Sequence, residues 1–318
     1  MRNFILLISV LILTAGCASN SELFLTHSKT AMKAATHDEA VKQYASSAKK
    51  NIHSHYYFSG LADIHAHYGY YGEAVNDFTR AIRNNEKAIY HLKRGRSYMK
   101  LHFYTDAIVD FSTVINSRGK SFPVSYVERA KAHVEMGDYN AGMKDLDKAK
   151  RYGGENTEFL IAMGELHFKM GQYDESKTYI QKAIISDSNN PDLYYLRAKS
   201  FYKAKDAHQA IADLHKAISI EKAHLDARRM LAWIYSTNPI STYRDGEKAL
   251  QLAKDLFAIN EDLTYVEVLA AAHAENGQFK EAVEVLKEGI RLSTDLVQKE
   301  DFRFDIKTYE KSKKVRVW

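Results

Sequence analysis

Histidine supplies the groups in this chain that could bind a metal or move a proton near neutral pH. Two H-x-H pairs occur, His53/His55 and His65/His67. On a helix, residues two apart point to nearly opposite sides, so neither pair forms a preorganised metal site. The sequence also lacks G-x-S-x-G, H-E-x-x-H, a phosphate-cradling glycine loop and paired cysteines. We therefore expect a protein that is not an enzyme and that uses no metal and no cofactor.

Cys17 is the only cysteine in these 318 residues, and its position favours a modification. It follows Arg2, the apolar run 4–13 (FILLISVLIL) and the small residues Ala15 and Gly16. A basic start, a short apolar run and small residues at its end are typical of an export signal. The run is too short to span a bilayer comfortably as a permanent helix.

Residues 13–17 (LTAGC) resemble the processing box of bacterial lipoproteins, although threonine stands where that family usually has leucine. The resemblance implies a signal peptide at 1–16, cleavage before Cys17, and diacylglycerol plus an N-acyl chain such as palmitate on that cysteine. It also implies a lipidated tether at 17–22. Because Ala18 rather than aspartate follows the cysteine, the resemblance favours the outer membrane, facing the periplasm. The alternative is an uncleaved anchor or an ordinary secretory signal.

The composition indicates a folded helical protein and gives little support for nucleic-acid binding. Hydrophobic residues make up 45% and charged residues 27%, and only three prolines occur. The formal net charge of +5 is too mild a bias to argue for a nucleic-acid partner. The export signal opposes such a partner as well, so none is expected.

A repeat of about 34 residues runs through most of the chain. Its units begin near residues 21, 55, 88, 123, 157, 191, 225 and 263. Two columns of small residues let the two helices of each unit approach closely. The first column is Ser28, Ala62, Gly95, Ala130, Gly164, Ala198, Ala232 and Ala270, and the second is Ala40, Ala74, Ala107, Gly142, Ser176, Ala210, Ala249 and Ala282. A bulkier column, predicted to pack one pair onto the next, is Tyr44, Phe78, Phe111, Leu146, Ile180, Leu214, Ala253 and Leu286.

These columns resemble the tetratricopeptide repeat (TPR) family over nearly all of residues 21–291. The resemblance implies an all-α fold, a right-handed superhelical α-solenoid of about eight TPR-like helix pairs that occupies residues 23–291. A generic helical bundle would not explain two aligned columns of small residues. Residues 236–241 (STNPIS) insert extra residues into the unit that starts at 225, so a longer loop is predicted there.

After Ile290 the repeat stops, and residues 292–318 are predicted to form a capping helix and a basic tail. The helix, over 294–311, has apolar positions at Leu296, Val297, Phe302, Ile306 and Tyr309. The tail contains Lys311, Lys313, Lys314, Arg316 and Trp318. We interpret it as a solvated, frayed terminus. Contact with acidic lipid heads or an acidic partner is the alternative.

Four histidines fall at one position of the repeat. They are His65, His133, His167 and His273. This equivalence favours a packing position that is filled by a half-buried ring rather than a catalytic or metal-binding role.

The first helices of TPR arrays line a concave surface, and a fixed set of their positions commonly contacts a bound peptide. Carried onto this chain, those positions give Lys93, Arg96, Met99, Lys100, Lys131, Phe168, Lys169, Tyr195, Lys199, Tyr202, Lys203, Arg229 and Trp233. Such interleaved cations and aromatic rings suit an acidic or C-terminal peptide. The alternative is an ordinary lysine-rich soluble surface. The TPR clamp for chaperone tails needs lysine and asparagine at positions that here hold other residues, so that client is not expected.

The sequence therefore favours a non-catalytic scaffold or adaptor lipoprotein that binds a protein or peptide partner. It would lie at the periplasmic face of the outer membrane and dock a periplasmic enzyme or an assembly component. A pilotin-like factor for pilus or secretin assembly is one alternative. A cell-envelope hydrolase is the alternative of a different class.

Overall fold

The computed structural model describes residues 20–47, 54–118, 122–259 and 263–318. Within these ranges all regular structure is helical, with seventeen α-helices and a 3-10 helix at Ser241–Tyr243. The predicted all-α fold is therefore confirmed. The expected signal peptide and Cys17 lie outside the described residues. Among the helices that are described, none is long and apolar enough to cross a membrane.

The helices form pairs within two compact halves, Met1–Glu155 and Asn156–Trp318. In the N-terminal half the described helices are α1 (Asn20–Ala31), α2 (His37–Ser47), α3 (His55–His67), α4 (Tyr71–Asn84), α5 (Ala88–Lys100), α6 (Tyr104–Arg118), α7 (Pro123–Glu135) and α8 (Tyr139–Arg151). In the C-terminal half they are α9 (Thr157–Lys169), α10 (Tyr173–Ser186), α11 (Pro191–Lys203), α12 (Ala207–Ile220), α13 (Leu225–Thr237), α14 (Gly246–Ile259), α15 (Leu263–Glu275), α16 (Phe279–Leu292) and α17 (Leu296–Glu310). The two helices of every pair pack against each other.

The first helix of each pair begins where the repeat predicts. These helices start at residues 20, 55, 88, 123, 157, 191, 225 and 263. Local chemistry explains the starts: the side chains of Ser54 and Asn156 accept a hydrogen bond from a backbone N–H of the first turn. Pro123 and Pro191 begin their helices at positions where the missing N–H would have no partner in any case.

The turn inside most pairs depends on one residue in the left-handed region. Six such residues have φ between 60° and 83°, namely Gly69, His102, Gly137, Gly171, Lys205 and Gly277. Gly137 donates to the Val134 carbonyl at 3.0 Å, and the next residue donates to the His133 carbonyl at 2.9 Å, so the last carbonyls of α7 are satisfied. In the pair that starts at residue 225 this place is held by Pro239, which cannot adopt a positive φ and has no N–H. The chain there runs from Thr237 to α14 through the longer loop predicted from the sequence.

The two columns of small residues are the contact surfaces of the pairs. Alanines and serines in both columns are buried. A Cβ at Gly95 would lie 2.6 Å from the Phe111 ring, and one at Gly164 would lie 2.5 Å from Ile180. Both contacts are within one pair, so the bulky column, which was predicted to pack one pair onto the next, also packs the two helices of a pair together. Phe111 does both, because it also shares a core cluster with Ala132 of the following pair.

Buried ion pairs also join the helices of three repeats, and the sequence analysis missed them. The guanidinium groups of Arg94, Arg129 and Arg197 each bind one carboxylate through two nitrogens, those of Asp110, Asp145 and Asp213. Each arginine comes from the first helix and each aspartate from the second helix of the same pair. The signal was available as an Arg-to-Asp spacing of sixteen residues that recurs in these repeats.

Helix α17 follows the last pair and covers its apolar surface, as the capping helix was predicted to do. Phe302 and Tyr309 are 0% and 1% exposed, and Gly289 of α16 lies against the Phe302 ring. Leu296 and Val297 were expected to share this role but are 74% and 71% exposed, so that part of the prediction is wrong. They lie in the first turn of α17, ahead of the residues that pack on α16.

Candidate partner-binding surface

In the N-terminal half, two of the predicted cations, Lys93 and Arg96, are paired with acids of neighbouring first helices, and Lys131 lies near an acid of its own helix. Lys93 Nζ lies 2.7 Å from Asp63 Oδ2, and Arg96 Nη2 lies 2.6 Å from Glu128 Oε1. Lys131 is 4.0 Å from the other oxygen of Glu128. This face therefore has mixed charge, whereas the sequence analysis emphasised cations and aromatic rings.

The remaining two candidates of this half differ in exposure. Lys100 is exposed at the end of α5, whereas Met99 is half-buried and packs on the core cluster around Phe111. At the other end of α5, Lys87 Nζ lies 4.6 Å from the centre of the Tyr56 ring and lines a depression of about 240 Å³. A cation of the chain itself thus already occupies the aromatic site that this depression offers.

In the C-terminal half, three predicted residues meet in one open depression of about 220 Å³. Tyr195 comes from α11, and Arg229 and Trp233 come from α13. The other lining residues are Met230, Thr264, Glu267 and Val268. The spacing of four residues between Arg229 and Trp233 places both side chains on one face of α13, which is why the sequence could predict them together.

The depression has aromatic walls and charges of both signs. Burial raises the pKa of the Tyr195 phenol, as does Asp226, while the Arg229 guanidinium lowers it. Arg229 Nη2 also lies 3.3 Å from Asp226. Burial and the carboxylate of Asp301 raise the pKa of Glu267. A side chain with an apolar body and a polar end fits such a site, because the walls cover the body and the charged groups bind the end.

A second aromatic contact extends this surface towards α9. Lys199 Nζ lies 5.0 Å from the centre of the Phe168 ring and 5.6 Å from that of Tyr195. The lysine therefore connects the rings of two neighbouring first helices. Lys169 and Lys203, both predicted site residues, are exposed at the ends of α9 and α11. We call Phe168, Tyr195, Lys199, Arg229 and Trp233 the α9–α13 surface.

Tyr202 was predicted to face a partner, but the structure places a segment of the chain itself on it. The residue is 4% exposed, and its hydroxyl donates to the Val317 carbonyl at 2.8 Å. The Trp318 ring lies 5.8 Å from the Tyr202 ring. The interpretation of the basic tail as a solvated, frayed terminus is therefore wrong, because its last residues are bound to α11, α13 and α15.

The recurrent histidines behave as packing residues at the turns. Each ring is buried or half-buried. His167 and His273 each contact the glutamine that follows five residues later in the sequence, at 2.6 and 2.7 Å. His65 and His133 each lie near an aspartate of the following helix. Among the described residues, no group of three histidine, cysteine, aspartate or glutamate side chains could hold a metal ion.

The sequence analysis missed the acids of this face. Asp63, Glu128 and Glu267 occupy the same repeat positions as the chosen cations and aromatics. These three acids were left out because the candidates at those positions were chosen for positive charge and aromatic character.

Comparison with known proteins agrees with this architecture. Two family models, both described as tetratricopeptide repeat, match residues 133–200 and 191–224. The chain thus contains tetratricopeptide repeats. It is similar to the TPR repeat-containing protein YpiA of Bacillus subtilis, at 20% identity over 73% of this chain and 54% of YpiA. It is also similar to DnaJ homolog subfamily C member 3 of Gallus gallus, at 25% identity over 52% of this chain and 36% of that protein. The chain spans only about half or less of the length of these relatives.

Solved structures give the same fold. Yeast Tom70 superposes with a TM-score of 0.65 at 16% identity, over 92% of this chain and 64% of that one. A tetratricopeptide repeat protein from Parabacteroides merdae superposes with a TM-score of 0.63 at 17% identity, over 79% of this chain and 98% of that one. These likenesses show the TPR solenoid fold. That fold is consistent with a scaffold for protein–protein interaction.

Proposed function

We propose that this protein is a non-catalytic scaffold that binds an extended segment of a partner protein on the α9–α13 surface. The observation that carries the proposal is the convergence of Tyr195, Arg229 and Trp233 on one depression of about 220 Å³. Tyrosine, tryptophan and arginine are the residue types that most often dominate binding energy at interfaces. Repeat arrays of this kind also present extended binding surfaces rather than enclosed catalytic pockets.

The charges of this surface define the kind of segment that fits. The depression would take an aromatic or aliphatic side chain of the partner against Trp233 and Tyr195. A carboxylate next to that side chain would face the ammonium groups of Lys199 and Lys203, of which Lys203 is exposed. The proposed ligand is therefore an extended acidic segment with one large apolar side chain. Burial of that side chain in the depression and attraction between the opposite charges both favour its binding.

We also propose that acyl chains on Cys17 hold this scaffold at the outer membrane, facing the periplasm. The support is the LTAGC segment after a basic and apolar start. Each buried methylene contributes about 0.8 kcal/mol, and two or more chains are needed for stable attachment. A membrane-held surface of this kind would recruit a soluble periplasmic enzyme or an assembly component.

The test of the binding surface is recovery of partners by the intact protein from the membrane fraction of its own cells. The variant is Arg229→Ala/Trp233→Ala, which removes one cation and one ring from the depression. Removal of such anchors costs at least about 2 kcal/mol, so we expect partner recovery to fall by ten-fold or more at limiting concentration. The matched control is Lys254→Ala/Phe304→Ala, which removes an exposed cation and an exposed ring elsewhere in the same half.

The control variant should recover the same partners as the wild-type protein. Far-ultraviolet circular dichroism of both variants checks that the helices remain. Equal recovery by the α9–α13 variant and the control would refute this surface. Turnover of peptidoglycan or peptide by the purified wild-type protein would refute the non-catalytic assignment.

A further inference from the structure

The helix α13 ends without the left-handed residue that follows six of the other first helices. Pro239 takes the place of that residue, and its ring supplies no N–H. A helix end leaves its last four carbonyl groups without partners from the helix itself. Since Ser236, Thr237 and Asn238 are almost completely buried, water cannot satisfy these groups freely.

All four carbonyls nevertheless have donors, one from the C-cap residue of α13 and three from other parts of the chain. The carbonyl of Ile234 accepts from Asn238 at 3.1 Å, and that of Tyr235 accepts from Asp245 at 3.0 Å, both within the loop region. The remaining two, Ser236 and Thr237, accept from the distant segment 314–318. Arg316 Nη1 donates to the Ser236 carbonyl at 3.1 Å, and the Val317 N–H donates to the Thr237 carbonyl at 3.1 Å.

A carboxylate at the end of α15 binds the cations of the same segment. Glu275 Oε2 lies 2.7 Å from Arg316 Nη2 and 3.5 Å from Lys314 Nζ. Lys314 also donates to the Glu275 carbonyl at 2.7 Å. On its other side Glu275 accepts from Arg244, which donates to the carbonyls of the loop at 238 and 239. The loop and the segment are therefore connected through one carboxylate.

Tyr202 completes the site on the α11 side. Burial raises the pKa of its phenol, so the hydroxyl stays protonated at neutral pH and donates to the Val317 carbonyl. Val317 thus uses both its N–H and its carbonyl, as a residue of an added strand does. Trp318 packs beside the Tyr202 ring, and Val315 packs on the core cluster of α15 and α16.

We propose that the ends of α11, α13 and α15 form a peptide-binding site, the Tyr202–Glu275 site, and that residues 314–318 are its exchangeable resident ligand. The site recognises an extended segment with alternating lysine and arginine followed by an aromatic residue, the pattern of Lys314, Arg316 and Trp318. A basic segment of a partner protein with this pattern displaces the resident one. The site differs from the α9–α13 surface in ligand charge, and it does not depend on the lipid anchor.

The contacts are of a kind that permits exchange. Two partly exposed ion pairs contribute roughly 0.2–1 kcal/mol each, and the backbone hydrogen bonds roughly 1 kcal/mol each. Lys314 and Val317 are exposed and Arg316 is half-buried. The resident segment remains bound chiefly because it is tethered, at an effective concentration on the order of millimolar.

The test adds a fluorescein-labelled peptide of residues 311–318 (KSKKVRVW) to the full-length protein and measures anisotropy. In the variant Arg316→Ala/Trp318→Ala the resident segment binds weakly, so the labelled peptide should bind at least about ten-fold more tightly than to wild type. Adding Glu275→Gln to that variant should weaken peptide binding at least about ten-fold. A control peptide with the same arginine and tryptophan replaced by alanine should not bind.

A second measurement uses the wild-type protein alone. The Val317 amide should be protected from hydrogen exchange, and an excess of unlabelled peptide should abolish that protection. Equal peptide affinity for wild type and variant, or no binding to the variant, would overturn the proposal. So would a Val317 amide that exchanges as fast as a free peptide. A dimer that depends on residues 314–318, seen by sedimentation, would assign the site to a second copy instead of a partner. Each of these results leaves the pull-down test of the α9–α13 surface unaffected.

Discussion

Replacing Asp110 by asparagine should destabilise the third helix pair by about 3 kcal/mol. The Asp110 side chain is 2% exposed and accepts three hydrogen bonds of 2.8 Å, two from Arg94 and one from His91. Asparagine keeps the shape but leaves the Arg94 guanidinium, 17% exposed, without an anion. Leaving a buried charge unpaired costs about 3–5 kcal/mol, and the partial exposure of Arg94 places the expected loss near about 3 kcal/mol.

The pH dependence of this loss has a definite sign. Burial alone would raise the pKa of Asp110, but hydrogen bonds from Arg94 and His91 outweigh it and hold the pKa below its ordinary value of 3.8. A depressed carboxylate pKa stabilises the fold above the unfolded pKa and loses that effect as pH falls through the folded pKa. The gap between wild type and Asp110→Asn should therefore shrink below pH 4.

Urea unfolding followed by circular dichroism measures the free energy, and hydrogen exchange in α5 and α6 locates the loss. The double variant Arg94→Met/Asp110→Leu removes both charges and should regain all but about 1 kcal/mol. The control Asp174→Asn removes an aspartate that is 89% exposed from its pair with Lys177 and should cost less than about 1 kcal/mol. A loss below 1 kcal/mol for Asp110→Asn, or a double variant no more stable than the single one, would refute the reasoning.

Three further changes test other parts of the molecule. Burial and two neighbouring carboxylates raise the pKa of Asp305 to about 6. The folded state therefore binds a proton at Asp305 more tightly than the unfolded state does, and the protein loses stability as pH rises from about 4 to about 7. Asp305→Asn should then be more stable than wild type by about 1 kcal/mol at pH 7.5, after allowance for solvent screening, and as stable as wild type at pH 4. Urea unfolding measures both values, and a difference in free energy of unfolding that is the same at both pH values contradicts this. Cys17→Ser removes the proposed acylation site and should move the protein from the membrane fraction to the soluble fraction, whereas continued membrane residence argues against a lipid on that residue. Gly60→Ala places a Cβ on the buried Tyr44 hydroxyl and should lower the free energy of unfolding by about 1–3 kcal/mol, while Gly72→Ala, with open space around it, should not lower it.

The period of the repeat was sufficient to predict the helix pairs. Small residues must recur wherever two helices approach closely, and this constraint is local enough to be read along the chain. The loop after α13 and the capping helix α17 could be predicted for the same reason, since both are interruptions of a regular pattern. The first turn of the cap was not predicted correctly: Leu296 and Val297 are 74% and 71% exposed, because the contact of α17 with α16 begins only further along the helix.

The candidate surface was only partly predictable. Residues on a single helix, such as Arg229 and Trp233, meet because their spacing fixes their direction. Pairs between different helices were not predictable from spacing alone, since Lys93 meets an acid thirty residues earlier and Arg96 an acid thirty-two residues later. Their charges compensate each other only once neighbouring first helices are side by side.

By itself, the sequence determined a periodic helical array, because its columns of alanine and glycine admit little other than paired helices. It also determined that Pro239 would interrupt one turn. Only the tertiary structure decided what satisfies the carbonyls left by that interruption. The answer is the segment near Val317, whose carbonyl also binds Tyr202 from 115 residues away. No local sequence pattern predicts such a contact, because it joins two helix ends to a segment that is distant in the sequence.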